Sequence, residues 1–494
     1  MAAMASTASN KRFFLLACLL ATAPAAWAGD WKFTSGITLS ERFSDNVDLA
    51  ANGQAESDWI TEISPRISMS RAGGRVKANV DYSLQGLLYA NDSDQNDIRH
   101  NLNGRANAEL AKDLFFFDAT ARISHQLLNL ADAGGLGDAV GLGNTTSVGS
   151  YSLSPYLKHR FGSAATVEAR VTQDGVFIGD SSVSDTNSTR YQLSAVGGNY
   201  FPPLSWGASY SKSDTRNSGT STRDSGNESA SANARYRLTR KFGLLAQASH
   251  EKNDFTNASN RLQDYSSYGL GAFYTPSRRV SMDVLFNDSD NGSFISGSLT
   301  LNPTLRTSIT ATTSERAYGR TYSLNLAHRT RKSNWSLRYS DDLTTSQQQF
   351  TAIPLFNPVL TNETFVSKNL VGSVSYTLRR NTFNLSLYNT EREYQSSAGN
   401  DKTHGMQASW SLKPAAHTTF TLSGGVSRNE ISGISTSRED DLWNLSLVTT
   451  HQFLPKVSGS VEVRHQERKT NPAVGPAAGG YDENSVAARL NMSF

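Results

Sequence analysis

Apolar and polar residues alternate one by one along most of this chain. In the segment 75–89, apolar residues at positions 76, 78, 80, 82, 84, 86 and 88 alternate with Arg75, Lys77, Asn79, Asp81 and Gln85. The segment 98–110 repeats this pattern. Because successive side chains of a strand point to opposite faces, each segment predicts a β-strand with one apolar and one charged face.

The same template fits about 24 segments of roughly 9 to 15 residues, close to the length of a tilted membrane-crossing strand. No apolar run approaches the roughly 18 residues that a membrane helix needs. The pattern therefore predicts an all-β fold: a single antiparallel transmembrane β-barrel of about 24 strands, within a range of about 22–26. The number should be even, since both ends of such a barrel normally lie on one side.

The connections between these segments alternate in length. Those after even-numbered segments are tight and often basic or contain proline, such as Arg71–Gly74, Lys112-Asp113, Asn302-Pro303 and Leu454–Lys456. Those after odd-numbered segments are mostly longer and rich in Asp, Asn, Gly and Ser: Ser44–Ser57, Asn129–Thr146, Gly179–Asn187, Asp214–Asn227, Asp341–Thr364 and Arg468–Asp482. Short periplasmic turns and long extracellular loops are typical of outer-membrane barrels, so both termini are predicted in the periplasm.

Aromatic residues gather near the short turns, at Phe161, Phe201, Phe242, Phe453 and Phe494. An aromatic girdle at the membrane interface would produce this distribution. The general preference of aromatic residues for strands would produce it too.

The first 28 residues have the pattern of a secretory signal peptide. Lys11 and Arg12 precede an apolar run from Phe13 to Ala23, and Ala26 and Ala28 form a small-residue cleavage site. A buried helix is the alternative, but the run lacks a polar face. Cys18 also leaves open a lipoprotein signal. Cleavage after Ala28 gives a mature barrel of residues 29–494 without the single cysteine, as suits an exported protein without disulfides.

The last strand ends the chain with five apolar positions in period-two register: Val486, Ala488, Leu490, Met492 and Phe494. This pattern resembles the C-terminal β-signal by which the barrel-assembly machinery recognises its substrates. It therefore predicts the cell outer membrane as the location, with the assembly machinery, outer-membrane lipid and lipopolysaccharide as partners.

The charge balance and the motifs exclude several function classes. There are 47 basic and 44 acidic residues, and Lys11 and Arg12 would leave with the signal, so the mature chain is nearly neutral and nucleic-acid binding is not expected. The metalloprotease, nucleophile-elbow and phosphate-loop motifs are absent, so no catalytic residue, cofactor or metal is predicted and the chain is not expected to be an enzyme. Two acidic stretches, Asn91–Asp97 and Asn287–Gly292, lack the glycine or glutamate of an EF-hand and are interpreted as solvated loops.

Charged residues on the polar face are the candidate functional residues, because that face would line the interior of the barrel. The candidates are Arg75, Lys77, Asp81, Arg99, Arg105, Glu109, Asp118, Arg122, Glu168 and Arg170, with Asp283, Arg338, Glu462 and Arg464 further along the chain. Both signs occur at similar density. This mixture disfavours a strongly ion-selective pore and leaves two possibilities, a path for neutral sugars or salt bridges that fill the interior.

Four segments of the N-terminal third carry a family resemblance: Ser40–Ala50 (SERFSDNVDLA), Ile63–Arg71 (ISPRISMSR), Arg75–Asp92 and Phe116–Gln126 (FFDATARISHQ). They resemble the outer-membrane β-barrel proteins associated with the PEP-CTERM/exosortase system, over roughly residues 30–180. Pro65-Arg66 stands where the family would have Pro-Gly. The resemblance implies a role at the Gram-negative outer membrane in exopolysaccharide production or secretion, and it carries over no catalytic residues.

The sequence thus predicts a porin-like barrel that acts as a conduit or accessory in exopolysaccharide secretion, with the polysaccharide or its export apparatus as a further partner. Two alternatives remain: a structural or surface-binding barrel without transport, and a general diffusion porin for small solutes.

Overall fold

The computed structural model describes residues 31–51, 53–127, 145–179, 184–218, 225–255, 264–316, 318–345, 364–394, 399–432, 437–472 and 480–494. The predicted signal peptide, with Cys18, Ala26 and Ala28, lies outside the described residues, as do positions 129–144 and 346–363 of two predicted long loops. No helix in the described part of the chain is both long and apolar enough to cross a membrane.

The described chain forms 24 strands and one turn of 3-10 helix, Ser93–Gln95. The first twelve strands are β1 Lys32–Ser44, β2 Asp58–Ala72, β3 Val76–Tyr89, β4 Asp97–Ala111, β5 Phe115–Leu127, β6 Thr145–Phe161, β7 Ala165–Ile178, β8 Thr186–Gly197, β9 Leu204–Asn217, β10 Ser225–Arg237, β11 Phe242–Phe255 and β12 Asp264–Ser277. The remaining twelve are β13 Val280–Ser289, β14 Phe294–Thr304, β15 Thr307–Arg316, β16 Gly319–Arg329, β17 Ser333–Thr345, β18 Thr364–Thr377, β19 Asn381–Tyr394, β20 Asn400–Ala415, β21 Thr418–Ser432, β22 Ser437–Leu454, β23 Val457–Pro472 and β24 Tyr481–Ser493.

Each strand pairs antiparallel with its neighbours in sequence, and β1 pairs with β24, which closes the sheet into a barrel. In this closing pair, Leu39 lies opposite Leu490 and Phe43 lies opposite Val486. The backbone N–H of Phe494 donates to the carbonyl oxygen of Ser35 at 2.8 Å and extends the ladder to the last residue. The predicted closed antiparallel barrel with an even count of about 24 strands is confirmed.

Several strands are longer than predicted at the end of the barrel that carries the long connections. Arg468 pairs with Tyr481, although both positions fall inside or at the edge of the predicted loop Arg468–Asp482. Likewise β9 continues to Asn217 inside the predicted loop Asp214–Asn227. In these extensions both faces of the strand are largely polar, so the alternation that marks a strand disappears although the hydrogen-bonded ladder continues.

The predicted turn at Asn302-Pro303 is wrong, because β14 runs through both residues to Thr304 and the turn is formed by Leu305 and Arg306. The pairing register shifts between Leu301 and Thr304. A register shift of this kind accommodates a proline, which has no N–H to give to the ladder.

The two faces of the barrel wall differ as the alternation predicts. The outward face carries large exposed apolar side chains on strands all around the barrel, such as Trp59, Leu270 (72% exposed), Phe286, Val463 and Val486. The inward face carries the serine, threonine, asparagine and charged residues that alternate with them. The pairing of neighbouring strands brings these polar residues opposite one another on the same face. We call the space enclosed by this face the lumen.

Aromatic side chains also lie at the short-turn end of the barrel, where each is within one residue of a strand end or, for Phe201, lies in the turn itself. They are Phe161, Phe201, Phe242, Phe453 and Phe494, and all are exposed.

Candidate functional site

The inner wall of the barrel is the candidate site, and hydroxyl groups cover much of it. Serines that lie directly opposite each other on neighbouring strands join their side chains across the ladder. Ser209 and Ser231 approach to 2.8 Å, and Ser336 and Ser373 to 2.7 Å. The same contact recurs at Ser249–Ser267, Thr312–Ser323 and Ser423–Ser446. A wall of short hydroxyl side chains offers hydrogen bonds to a solute without narrowing the lumen.

Charged residues gather where β1 and β24 close the barrel, and we call this group the seam network. Glu462 contacts Arg42 at 3.7 Å and Arg489 at 3.2 Å. Glu483, whose exposed fraction is 0%, contacts Arg464 at 3.4 Å and accepts a hydrogen bond from the Ser44 hydroxyl at 2.9 Å. The network links β1, β23 and β24 through the lumen side of the wall and ties the first strand to the last two.

Further buried ion pairs lie on the inner wall near the long-loop end. The Arg392 guanidinium contacts Asp401 at 2.8 Å, and the Tyr394 hydroxyl donates to the same carboxylate. Asp440 contacts Arg438 at 2.9 Å. Burying a charge is tolerated only when it is paired and hydrogen-bonded, and each of these carboxylates is.

An arginine lies over an aromatic ring at two places on the wall nearer the short-turn end. The Arg170 guanidinium lies 3.7 Å above the Tyr156 ring and contacts Asp118 at 2.9 Å and Glu168 at 3.1 Å. The Tyr156 ring in turn stacks on Phe116 at 5.0 Å. A second arrangement repeats the motif, with Arg235 at 3.8 Å from the Phe273 ring and at 2.9 Å from Asp283. In each, the guanidinium covers one face of the ring and is held there by at least one carboxylate.

The ten sequence-predicted candidates from Arg75 to Arg170 fall into three groups. Asp118, Glu168 and Arg170 form one cluster, as just described. Three other candidates have local partners: Arg99 with Asp97 at 3.0 Å, Asp81 with the Ser68 hydroxyl at 2.6 Å, and Glu109 with the Asp113 backbone N–H at 2.6 Å.

The third group consists of Arg75, Lys77, Arg105 and Arg122, which are exposed and, within the described residues, form no ion pair with a carboxylate. Lys77, Arg105 and Arg122 share the lumen face of three neighbouring strands. Arg105 lies opposite Asn79 and Thr120, so Lys77 and Arg122 are its diagonal neighbours.

The β-signal residues Val486, Ala488, Leu490 and Met492 lie on the outward face of β24, in the closing pair with β1.

The connection 45–57 between β1 and β2 folds inward, which the sequence did not predict. Val47 is buried against Ile60, Leu87 and Tyr89, which are on the lumen face of β2 and β3. Asn46 holds the turn: its amide group donates to the carbonyl oxygens of Ala50 at 2.9 Å and Asp482 at 3.0 Å. The available signal was a break in alternation, since Ile60 follows Trp59 and Leu87 precedes Leu88, so that apolar residues occupy both faces there.

The acidic connection at 91–97 uses its carboxylates to cap backbone groups. Asp58 accepts hydrogen bonds from the backbone N–H groups of Asn91 and Asp92 at 3.0–3.2 Å, and Asp92 caps the 3-10 turn. In the described part of the chain, no three His, Cys, Asp or Glu residues are grouped so as to hold a metal ion.

No family model and no curated protein matches the chain. Among solved structures, the barrel is similar to the siderophore receptor PirA from Pseudomonas aeruginosa, at 11% identity and a TM-score of 0.44, covering 95% of this chain and 81% of that one. The FrpB iron transporter from Neisseria meningitidis matches at 9% identity and a TM-score of 0.44, covering 95% and 83%. Pseudomonas aeruginosa OpdQ matches at 11% identity and a TM-score of 0.35, covering 94% and 98%. Likenesses at these scores carry no information about substrate.

Proposed function

We propose that this chain is an outer-membrane conduit through which a hydrophilic polymer, an exopolysaccharide, leaves the cell. The observation that carries the proposal is the pairing of an apolar outer face with a polar inner face around a closed barrel of 24 strands. Barrels of 16–18 strands already enclose an aqueous channel, and the diameter grows with the strand number.

The outer face supports placement in a lipid bilayer. Side chains such as Leu270 and Phe286 are 72% and 67% exposed, and leaving such side chains in water would cost roughly 1.5–3 kcal/mol each. Lipid removes that cost. The short turns are placed in the periplasm and the long loops outside, following the usual asymmetry of outer-membrane barrels.

The inner wall supports a sugar polymer as the cargo. Hydroxyl pairs such as Ser209–Ser231 and Ser336–Ser373 match the hydrogen-bonding groups of a sugar without holding it tightly. The resemblance of the N-terminal third to barrels of exopolysaccharide loci points the same way. No chemical step on the cargo is part of the proposal.

Conductance in planar bilayers tests the conduit directly. We expect purified protein to open a large, stable conductance and to admit neutral oligosaccharides in liposome swelling assays, with a size limit above that of small-solute porins. Deleting the gene should leave polysaccharide in the periplasm. A barrel that never conducts would favour a structural or surface-binding role, and a size limit at small sugars would favour a diffusion porin; either result overturns the proposal.

A pair of cysteine variants locates the path. Ser336 faces the lumen and Leu337, its neighbour on β17, faces outward. In a background without Cys18, the only cysteine of the chain, a charged thiol reagent should reduce the conductance of Ser336→Cys and leave that of Leu337→Cys unchanged. Equal effects on both variants would mean that current does not pass along the inner wall.

A further inference from the structure

Charge is separated along the axis of this barrel although the chain as a whole is nearly neutral. The eleven short turns contain twelve basic residues and one acidic residue, Asp113, and all of the basic side chains are exposed. The basic residues are Arg75, Lys112, Arg240, Lys241, Arg278, Arg279, Arg306, Arg331, Lys332, Arg379, Arg380 and Lys456. We call them the basic rim.

The opposite end has the opposite charge. The described parts of the long connections contain seven acidic residues and no lysine or arginine. The acidic residues are Asp45, Asp48, Glu56, Asp92, Asp94, Asp185 and Asp290. A potential difference therefore runs from one mouth of the barrel to the other, and a lumen walled by protein and lipid focuses it.

Positive charge continues from the basic rim into the lumen. Lys77, Arg105 and Arg122 form a diagonal across β3, β4 and β5, and diagonal neighbours on adjacent strands are separated by about 7–8 Å. We call these three residues the basic ladder. Their side chains are exposed, and asparagines on the same face, Asn79 and Asn103, lie directly opposite Arg105 and Arg122. The carboxylates of Asp81 and Asp118 are diagonal neighbours of Arg105, and they contact Ser68 and Arg170 instead.

The two ends of the inner wall also differ in burial. Near the long-loop end, the lumen-facing side chains of Glu483, Arg392 and Phe365 are at most 1% exposed. Near the short-turn end, Lys77, Arg329 and Lys413 on the same inner face are exposed. The end of the lumen at which these charged side chains are accessible to water is therefore the one that carries the positive charge.

We infer that the cargo of this barrel is an anionic polysaccharide, one that bears carboxylate groups along its length, and that it enters at the basic rim and is bound by the basic ladder. This inference rests on the proposed conduit function and adds the substrate class and the point of entry. The basic mouth raises the local concentration of the polyanion, and the acidic mouth opposes its retention after passage, so the field favours movement from the short turns to the long loops.

The basic ladder decides between a polysaccharide and the two other anionic partners that a basic rim could meet. Lipid head groups and an acidic protein docked below the barrel would contact the turns from outside the lumen. Neither would reach Arg105 and Arg122, which lie about halfway along β4 and β5 on the inner face. A linear polymer inside the lumen would reach them.

Binding of labelled oligosaccharides to the detergent-solubilised full chain tests the inference without requiring an open pore. We expect a fluorescent oligogalacturonate to bind and a neutral dextran of equal length not to bind. The variant K77Q/R105Q/R122Q should weaken galacturonate binding at least tenfold and reduce its salt dependence. The matched control R216Q/K252Q/K402Q removes the same charge from exposed or half-buried positions on the outer face and should bind like the parent.

Equal loss in both triple variants would indicate general charge attraction, and equal binding of galacturonate and dextran would indicate no charge selection; either result overturns the inference. If phosphatidylglycerol displaces galacturonate and the variant K77Q/R105Q/R122Q binds galacturonate like the parent, the basic rim is a lipid-binding site. That result also overturns the inference.

Bilayer recordings then separate this inference from the conduit itself. Galacturonate should block the current at a concentration at least tenfold lower from the short-turn side than from the long-loop side. A conducting pore blocked equally from both sides would overturn the inference and leave the conduit standing. A silent barrel that nevertheless binds galacturonate through the basic ladder would overturn the conduit and retain the ligand assignment.

Discussion

Removing the carboxylate of Glu483 should destabilise the closure of the barrel. The seam network places three guanidinium groups, Arg42, Arg464 and Arg489, around the two carboxylates of Glu462 and Glu483. In Glu483→Gln, the three positive charges would share one negative charge. Arg464 is 6% exposed, so water can screen it only weakly.

The magnitude follows from that burial. Breaking a buried ion pair by removing one partner costs about 3–5 kcal/mol, because an uncompensated charge stays behind. Arg464 has a further contact besides Glu483, so we expect the lower end, about 3 kcal/mol in the free energy of unfolding. The double variant E483Q/R464M, which removes both charges, should recover part of this loss.

Urea unfolding in lipid vesicles, followed by tryptophan fluorescence and by the gel mobility of the folded barrel, measures the change. Glu439→Gln is the control, since Glu439 is an exposed glutamate on β22 at the same end of the barrel, and it should change stability by less than about 0.5 kcal/mol. If Glu483→Gln and Glu439→Gln are equally stable, lumen water solvates the network and the reasoning from burial is wrong.

Three further predictions concern assembly, the inward connection and the lipid face. Phe494→Ala keeps the backbone hydrogen bond to Ser35, whereas deleting Phe494 removes it. Both changes should lower the amount of barrel in the outer membrane, and the deletion should lower it more. Immunoblots of membrane fractions measure this amount, and a neutral deletion would contradict the prediction. Asn46→Ala removes three side-chain hydrogen bonds of the inward connection, so hydrogen exchange of residues 45–51 should accelerate at least tenfold with the barrel intact, and unchanged exchange would contradict the pinning role. Leu270→Arg places a charge on the outward face near the middle of β12 and should lower the free energy of unfolding in vesicles by about 2–4 kcal/mol. Asn325→Arg, on the lumen face of β16, should lower it far less. Equal losses would refute the assignment of the two faces.

The strands and the closure of the barrel could be predicted from the sequence because each depends on a local, repeated signal. Segments such as 75–89 alternate because one face of each strand points out of the barrel and the other points into the lumen. At the ends of the strands near the long connections, as at Arg468 and Tyr481, both faces are largely polar and the alternation disappears. The predicted turn at Asn302-Pro303 was wrong for a different reason, because a register shift in the ladder accommodates Pro303 within β14.

The partners of the lumen charges could not be predicted, because they depend on register between strands. Asp118 and Arg170 are separated by 52 positions in sequence and meet only because β5, β6 and β7 bring Phe116, Tyr156 and Arg170 to one height on the wall. The inward fold of the connection 45–57 depends in the same way on Val47 meeting Ile60, Leu87 and Tyr89.

The axial charge separation could have been found in the sequence, but only after assigning each connection to an end of the barrel. The 47 basic and 44 acidic residues nearly cancel in the total. Short turns such as Arg278-Arg279 and Arg379-Arg380 are basic, while the charged residues in the described parts of the long connections are all acidic. Because short and long connections alternate along the chain, basic residues lie at one end of the barrel and acidic residues at the other. The net charge of the chain does not show this separation.

The two ends of the lumen differ in whether their charged side chains form ion pairs, and burial explains the difference. Near the long-loop end, where Arg392 and Glu483 are almost fully buried, a lone charge would be too costly, and the carboxylates are paired with arginines. Water reaches Lys77 near the short-turn end and Arg105 midway along β4, so these cations persist without an ion pair and remain available to a ligand. Substitutions that remove a charge near the long-loop end should therefore change the stability of the barrel. Those that remove a charge of the basic ladder should change ligand binding while stability stays constant.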